Sequence, residues 1–111
     1  MIPFGKIDID VYGGEDEMSM SVISIDVSNI KKAEELHLLL KEKLEFPDFY
    51  GENWNAFWDA ITGLVELPDK LELIGWTILQ KKLPYDATLM KECLIDYNKQ
   101  AYEKKCEFIF N

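Results

Sequence analysis

The chain has 111 residues, 48% of them hydrophobic and 30% charged, which is enough apolar material for one small packed domain and too much for a wholly disordered chain. Twelve Lys, no Arg and 21 Asp plus Glu leave a net charge of −9. Phosphate neutralisation needs the opposite sign, so direct nucleic-acid binding is disfavoured, and a basic protein or a cation is the expected kind of partner.

In chain order, KIDIDVY at 6–12 alternates polar and apolar residues, and Gly13-Gly14 with the acids at 15–17 makes a bend. An added edge strand or hairpin is preferred there over a loose arm. The opening residues lack a basic region followed by an apolar run, and no stretch approaches ~18 consecutive apolar residues. Neither a signal peptide nor a membrane span is expected, and the chain reads as cytoplasmic. SVISIDV at 21–27 is the first firm strand, because β-branched side chains suit a packed sheet. Ser28 or Asn29 then caps a helix over 31–44, where Ala33, Leu36, Leu39, Leu40 and Leu44 recur at helical spacing. Pro47 ends that pattern.

FYGENWNAFWDAITG at 49–63 is the most distinctive segment. Trp54, Phe57, Trp58 and Ile61 fall at i, i+3, i+4 and i+7, which puts an aromatic stripe on one side of a short helix. Asn55 and Asp59 share another face. Gly51 precedes the helix, and Gly63 offers the left-handed conformation that ends it. The surrounding stretch, 45–72, carries seven acids against one Lys and is the most acidic part of the chain. LELIGW at 71–76 reads as a second strand, Thr77–Leu83 as a short helix limited by Pro84, and 87–104 as a longer helix. The buried stripe expected on that longer helix is Leu89, Cys93, Leu94, Tyr97 and Ala101. CEFIF at 106–110 is a terminal strand. The alternation of strands with helices predicts a small parallel α/β sheet.

The polar residues argue against several chemistries. His37 is the one histidine and has no ligand cluster around it, so a structural or merely exposed position is expected. Cys93 and Cys106 lie 13 apart with no companion His or Cys, which fits reduced, mostly buried thiols better than a bridge or a zinc site. Asp8, Asp10 and the acids at 15–17 lack calcium-loop spacing and read as a solvated face. Glu52 and Asp59 are carboxylates whose separation in sequence says nothing of a catalytic distance. There is no P-loop, no GxGxxG turn and no compelling triad order. No enzyme activity, cofactor or metal is expected. Tyr50, Gly51, Asn53, Asn55 and Asp59 grouped around a short aromatic helix make a rigid face with an anionic tip, which suits an active-site plug or a protein-docking surface.

At these residues the sequence resembles the barstar family of intracellular ribonuclease inhibitors. FPDFYGENWNAFWDAITGLVELP at 46–68 carries the resemblance, AEELHLLLKEKLEFP at 33–47 extends it upstream, and KCEFIF suits the family's last strand. The likeness covers residues 21–111 as one barstar-like domain and leaves 1–20 as an N-terminal extension. It implies a three-stranded parallel sheet with about four helices, and a second helix and preceding loop that block the active site of a small basic ribonuclease. Asp59 matches the family's central carboxylate, which takes a phosphate position between cationic enzyme groups. Phe49 stands where the known inhibitor presents a Tyr. Asn53 and Trp58 match interface positions, and Tyr50, Gly51, Thr62 and Gly63 complete the implied contact segment. Asn55 and Gln100 replace acidic contacts, and Leu64 replaces a Trp. The expected function is an inhibitor that occludes a toxin-like ribonuclease and is itself monomeric when unbound; the alternative is a barstar-like module for a non-ribonuclease partner.

Overall fold

The computed structural model describes residues 20–101 and 104–111. The edge strand or hairpin expected over 6–20 therefore lies outside the described residues, apart from Met20, which is exposed. Three strands, β1 (Val22–Asp26), β2 (Lys70–Ile74) and β3 (Glu107–Phe110), form one sheet in the order β1-β2-β3. Both pairs are parallel: Val22 lies opposite Lys70 and Asp26 opposite Ile74, while Lys70 lies opposite Glu107 and Leu73 opposite Phe110. Parallel neighbours need crossover connections. Helices α1 (Ala33–Lys43) and α2 (Trp54–Gly63) make the first, and α3 (Trp76–Lys82) and α4 (Pro84–Gln100) the second. Among the described residues, the expected α/β architecture of three parallel strands with four helices is the one observed.

Strand periodicity divides the sheet into two faces. Ile25, Val27, Leu71 and Leu73 are sealed against the helices, while Ser24, Asp26 and Glu107 are exposed. Ser24 Oγ donates to Glu72 Oε1 at 2.9 Å on the polar face. Leu36 and Leu40 of α1, Phe57, Ala60 and Ile61 of α2, Leu79 of α3, and Ala87, Met90 and Leu94 of α4 complete one core. Helix α4 packs against both α2 and α3.

Several boundaries differ from the sequence expectation. Neither Ser28 nor Asn29 caps α1: the N-cap is Lys32, with no side-chain capping bond. Ser28 instead donates from its backbone N and its hydroxyl to Asp26 Oδ1, closing the turn after β1. The second strand stops at Ile74 rather than 76, because Gly75 turns left-handed (φ 80°) and Trp76 opens α3. A Cβ on Gly75 would lie 2.5 Å from the Ser28 Cβ, so the junction has no room for a side chain. Helix α4 starts at Pro84 and ends at Gln100, not over 87–104; proline's fixed φ and missing N–H suit a first helical position. Its deepest residues are Ala87, Met90 and Leu94, whereas Leu89, Cys93, Tyr97 and Ala101 are only partly buried, the stripe being rotated from the expected one. Both cysteines are free, but only Cys106 is fully buried. Two bonds with Asn98, from Asn98 Nδ2 to the Cys106 carbonyl and from Cys106 N to Asn98 Oδ1, tie α4 to the start of β3.

Candidate protein-docking face

Pro47 brings α1's exit into a tight turn, with Tyr50 N donating to the Pro47 carbonyl at 3.0 Å. The turn splits its two aromatics. Phe49 is 76% exposed at the tip, whereas Tyr50 is 6% exposed and points into the core. Its hydroxyl shares a 2.6 Å hydrogen bond with His37 Nδ1, and its ring lies 4.8 Å from Phe46. Burial holds the His37 imidazole below its ordinary range, against the opposing charges of Asp86 and Glu52. Burial also drives the Tyr50 hydroxyl well above its usual range, so it stays protonated.

Asn53 begins the helix. Its Oδ1 accepts from Ala56 N at 2.8 Å, and its Nδ2 donates back to the Gly51 carbonyl at 3.1 Å. Glu52, between them, sits in the left-handed region at φ 54°. Gly51 is exposed but crowded: an added Cβ would meet the Asn53 amide at 3.3 Å and Ala56 at 3.4 Å. Phe57 and Ile61 are sealed in the core, and Trp54 and Trp58 are half-buried. Trp54 stacks obliquely on His37 with centroids 4.3 Å apart, and its Nε1 donates to Asp86 Oδ1 of α4 at 2.9 Å. The helix is therefore held at its N-terminal end from both sides.

The outward residues of α2 are Asn55, Asp59, Thr62 and Gly63, all exposed. Among the described residues Asp59 has no hydrogen-bond or ion-pair partner for its carboxylate. Thr62 is turned back on its own helix, its hydroxyl donating to the Trp58 carbonyl at 2.6 Å. Gly63 remains helical, contrary to the left-handed stop expected of it. The helix ends without such a residue, because Leu64 N and Val65 N both close onto the Ala60 carbonyl. Leu64 itself is 49% exposed.

A loop with one exposed aromatic, an anchored helix and a carboxylate without a partner among the described residues is thus carried on a three-stranded parallel sheet. Across residues 20–111 the sequence matches the family described as Barstar (barnase inhibitor). The chain belongs to the barstar family. Barstar-family proteins are inhibitors and not enzymes. A Bacillus subtilis (strain 168) protein named "Putative ribonuclease inhibitor YrdF" is 50% identical over 54 residues, which are 49% of this chain and 59% of that protein. The chain is thus matched to less than two thirds of that relative's length.

On the barstar scaffold, the positions singled out by sequence fall into three groups. Phe49, Gly51, Asn53, Asn55, Trp58, Asp59, Thr62, Gly63 and Leu64 lie on one continuous loop and helix, whereas Tyr50 supports that loop from within. Gln100 is exposed at the far end of α4, one turn beyond Asp96. Sequence reasoning missed the buttress formed by His37, Tyr50, Trp54 and Asp86. A lone His and an acid 49 residues apart give no linear signal of a shared neighbour. Among the described residues, no group of three or more His, Cys, Asp or Glu could hold a metal ion, and no helix is long and apolar enough to cross a membrane.

Proposed function

We propose that this chain inhibits a ribonuclease by seating the loop and helix at 49–64 in the enzyme's RNA site. The observation that carries the reading is Asp59: an exposed carboxylate in the middle of an anchored helix, with no partner of its own among the described residues. Cationic groups that bind RNA phosphate would meet it as a phosphate substitute, through charge-assisted hydrogen bonds. Phe49, exposed at the tip of the preceding loop and next to the buried Tyr50, supplies an aromatic contact at little ordering cost. Inhibition is steric and electrostatic, and the chain cleaves nothing. The partner is basic and of the secreted or toxin-like kind, and the inhibitor acts in the cytoplasm of the cell that makes it.

The family description names barnase, so barnase is the first enzyme to test, followed by other small basic ribonucleases. Cleavage of an RNA substrate is followed as the chain is titrated into a fixed amount of enzyme. A linear fall to zero near one equivalent is expected. Undiminished cleavage across the enzyme panel, with the chain folded by circular dichroism, contradicts the reading; capture of a selective non-nuclease partner would then favour a binding module on the same scaffold.

A further inference from the structure

We propose that His37 is a proton-sensitive latch on the loop before α2: the neutral ring holds the loop against the core, and proton uptake releases it and weakens docking. The effect on docking rests on the inhibitory reading of that same loop and helix. The His37 ring lies on α1 and is 3% exposed, sealed from any partner. On one side the Tyr50 hydroxyl lies 2.6 Å from Nδ1, and on the other the Trp54 indole packs obliquely with centroids 4.3 Å apart. Tyr50 adjoins the exposed Phe49, and Trp54 is the first residue of the helix that carries Asp59. One titratable side chain thus touches both the loop and the helix of the contact segment.

The hydrogen bond suits a neutral ring. With the ring proton on Nε2, Nδ1 accepts the Tyr50 O–H, and burial keeps that hydroxyl protonated. A proton added at Nδ1 makes both groups donors. The hydroxyl must then turn its own proton away, and among the described residues it has no second hydrogen-bond partner. The imidazolium is also a charge held out of water. Opening the loop relieves both costs, because water reaches the ring and the hydroxyl. Charged groups bear on the ring from several elements. Asp86 of α4 and Glu52 of the loop favour the imidazolium, but burial opposes them and prevails, holding the ring below its ordinary range. Trp54 of α2 is neutral, although its π face also attracts a cation. Lys41, one turn along α1, is directed at the Asp48 carbonyl, and Cys93 of α4, beside Tyr50, is a thiol whose burial keeps it protonated. Between about pH 7.5 and about pH 5, His37 is therefore the group here that changes charge.

A bound partner clamps the loop and keeps the proton off His37. Affinity is then full above the free chain's His37 value and falls below it, by about tenfold per pH unit well past that value. His37→Gln retains an acceptor for Tyr50 but does not titrate. In the isotope-labelled free chain, the Gly51 and Asn53 backbone amides should shift with the midpoint of the His37 ring, and His37→Gln should lose that response. Asp86→Asn leaves Trp54 an oxygen to donate to and removes an anion that favours the imidazolium, so both midpoints should move down together. Loop amides that ignore the His37 titration, that titrate alike in His37→Gln, or that part from the ring in Asp86→Asn overturn the latch. So does a ring that takes up no proton across this range while circular dichroism shows a folded chain. For docking, the Kd for barnase is compared between wild type and His37→Gln from about pH 7.5 to about pH 5, so that the enzyme's own titrations cancel in the ratio. Wild type should lose about threefold or more relative to the variant. A constant ratio with tight binding overturns pH control of docking and leaves the inhibitory reading intact. Absence of wild-type binding at pH 7.5 is a failure of the inhibitory reading for that enzyme, and the loop amides then decide the latch alone.

Discussion

His37 and Tyr50 hold the loop before α2 from below, and Phe49 stands exposed at its tip. Tyr50→Phe keeps the ring but strips the hydroxyl from His37 Nδ1, leaving a buried ring nitrogen unpaired. A loss of about 1–2 kcal/mol is expected in urea unfolding, whereas Phe49→Ala should stay within about 0.5 kcal/mol of wild type. Equal costs would contradict this division between anchor and contact. The same pair gives a pH dependence. Burial lowers the His37 value in the folded state, so the unfolded chain takes up a proton first as pH falls. Stability from this site is full above the unfolded value of about 6.5 and is lost below it. Unfolding midpoints should therefore fall between about pH 7.5 and about pH 5.5, and His37→Gln should flatten that part of the slope. A wild-type midpoint unchanged across this range would argue against a neutral, buried imidazole.

The ends of α2 and the start of α3 show how much an element owes to single backbone positions. Asn53 satisfies an otherwise orphaned N–H, so Asn53→Ala should cost about 1 kcal/mol. Two glycines should respond with opposite signs. Gly63 is helical with open space around it, and Gly63→Ala should stabilise by roughly 0.5–1 kcal/mol. Gly75 has φ 80° and abuts Ser28, and Gly75→Ala should destabilise by about 1–3 kcal/mol. Thermal unfolding of both variants tests the pair, and a shift in the same direction would contradict the assigned backbone conformations. These cases also mark what the sequence discloses. The helical spacing of Trp54, Phe57, Trp58 and Ile61 disclosed α2 to within a residue, because burial periodicity is local. That Gly63 does not stop its helix while Gly75 stops a strand was not legible. It depends on the Ala60 carbonyl in one case and on the distant Ser28 in the other.

Across the whole molecule, three β-rich segments separated by helical ones were enough to indicate a parallel sheet, since such connections must cross over. The segment proposed as the docking face is one contiguous stretch of sequence, but its support was not legible, because the chain brings residues 37, 50, 54 and 86 together only on folding. With a net charge of −9, the chain should approach a basic enzyme by long-range attraction. Raising salt from about 0.05 M to about 0.5 M should slow association by about tenfold or more, with dissociation much less affected. Salt-independent association would contradict electrostatic steering. The central claim rests on one carboxylate, and the most direct measurement is the dissociation rate of the barnase complex for wild type, Asp59→Asn and Glu42→Gln. Asp59→Asn keeps the shape and removes the anion, whereas Glu42 is an exposed acid on α1. Dissociation at least about thirtyfold faster for Asp59→Asn, with Glu42→Gln close to wild type, is the predicted result. Equal dissociation rates for wild type and Asp59→Asn, in a complex that still inhibits, would contradict the account.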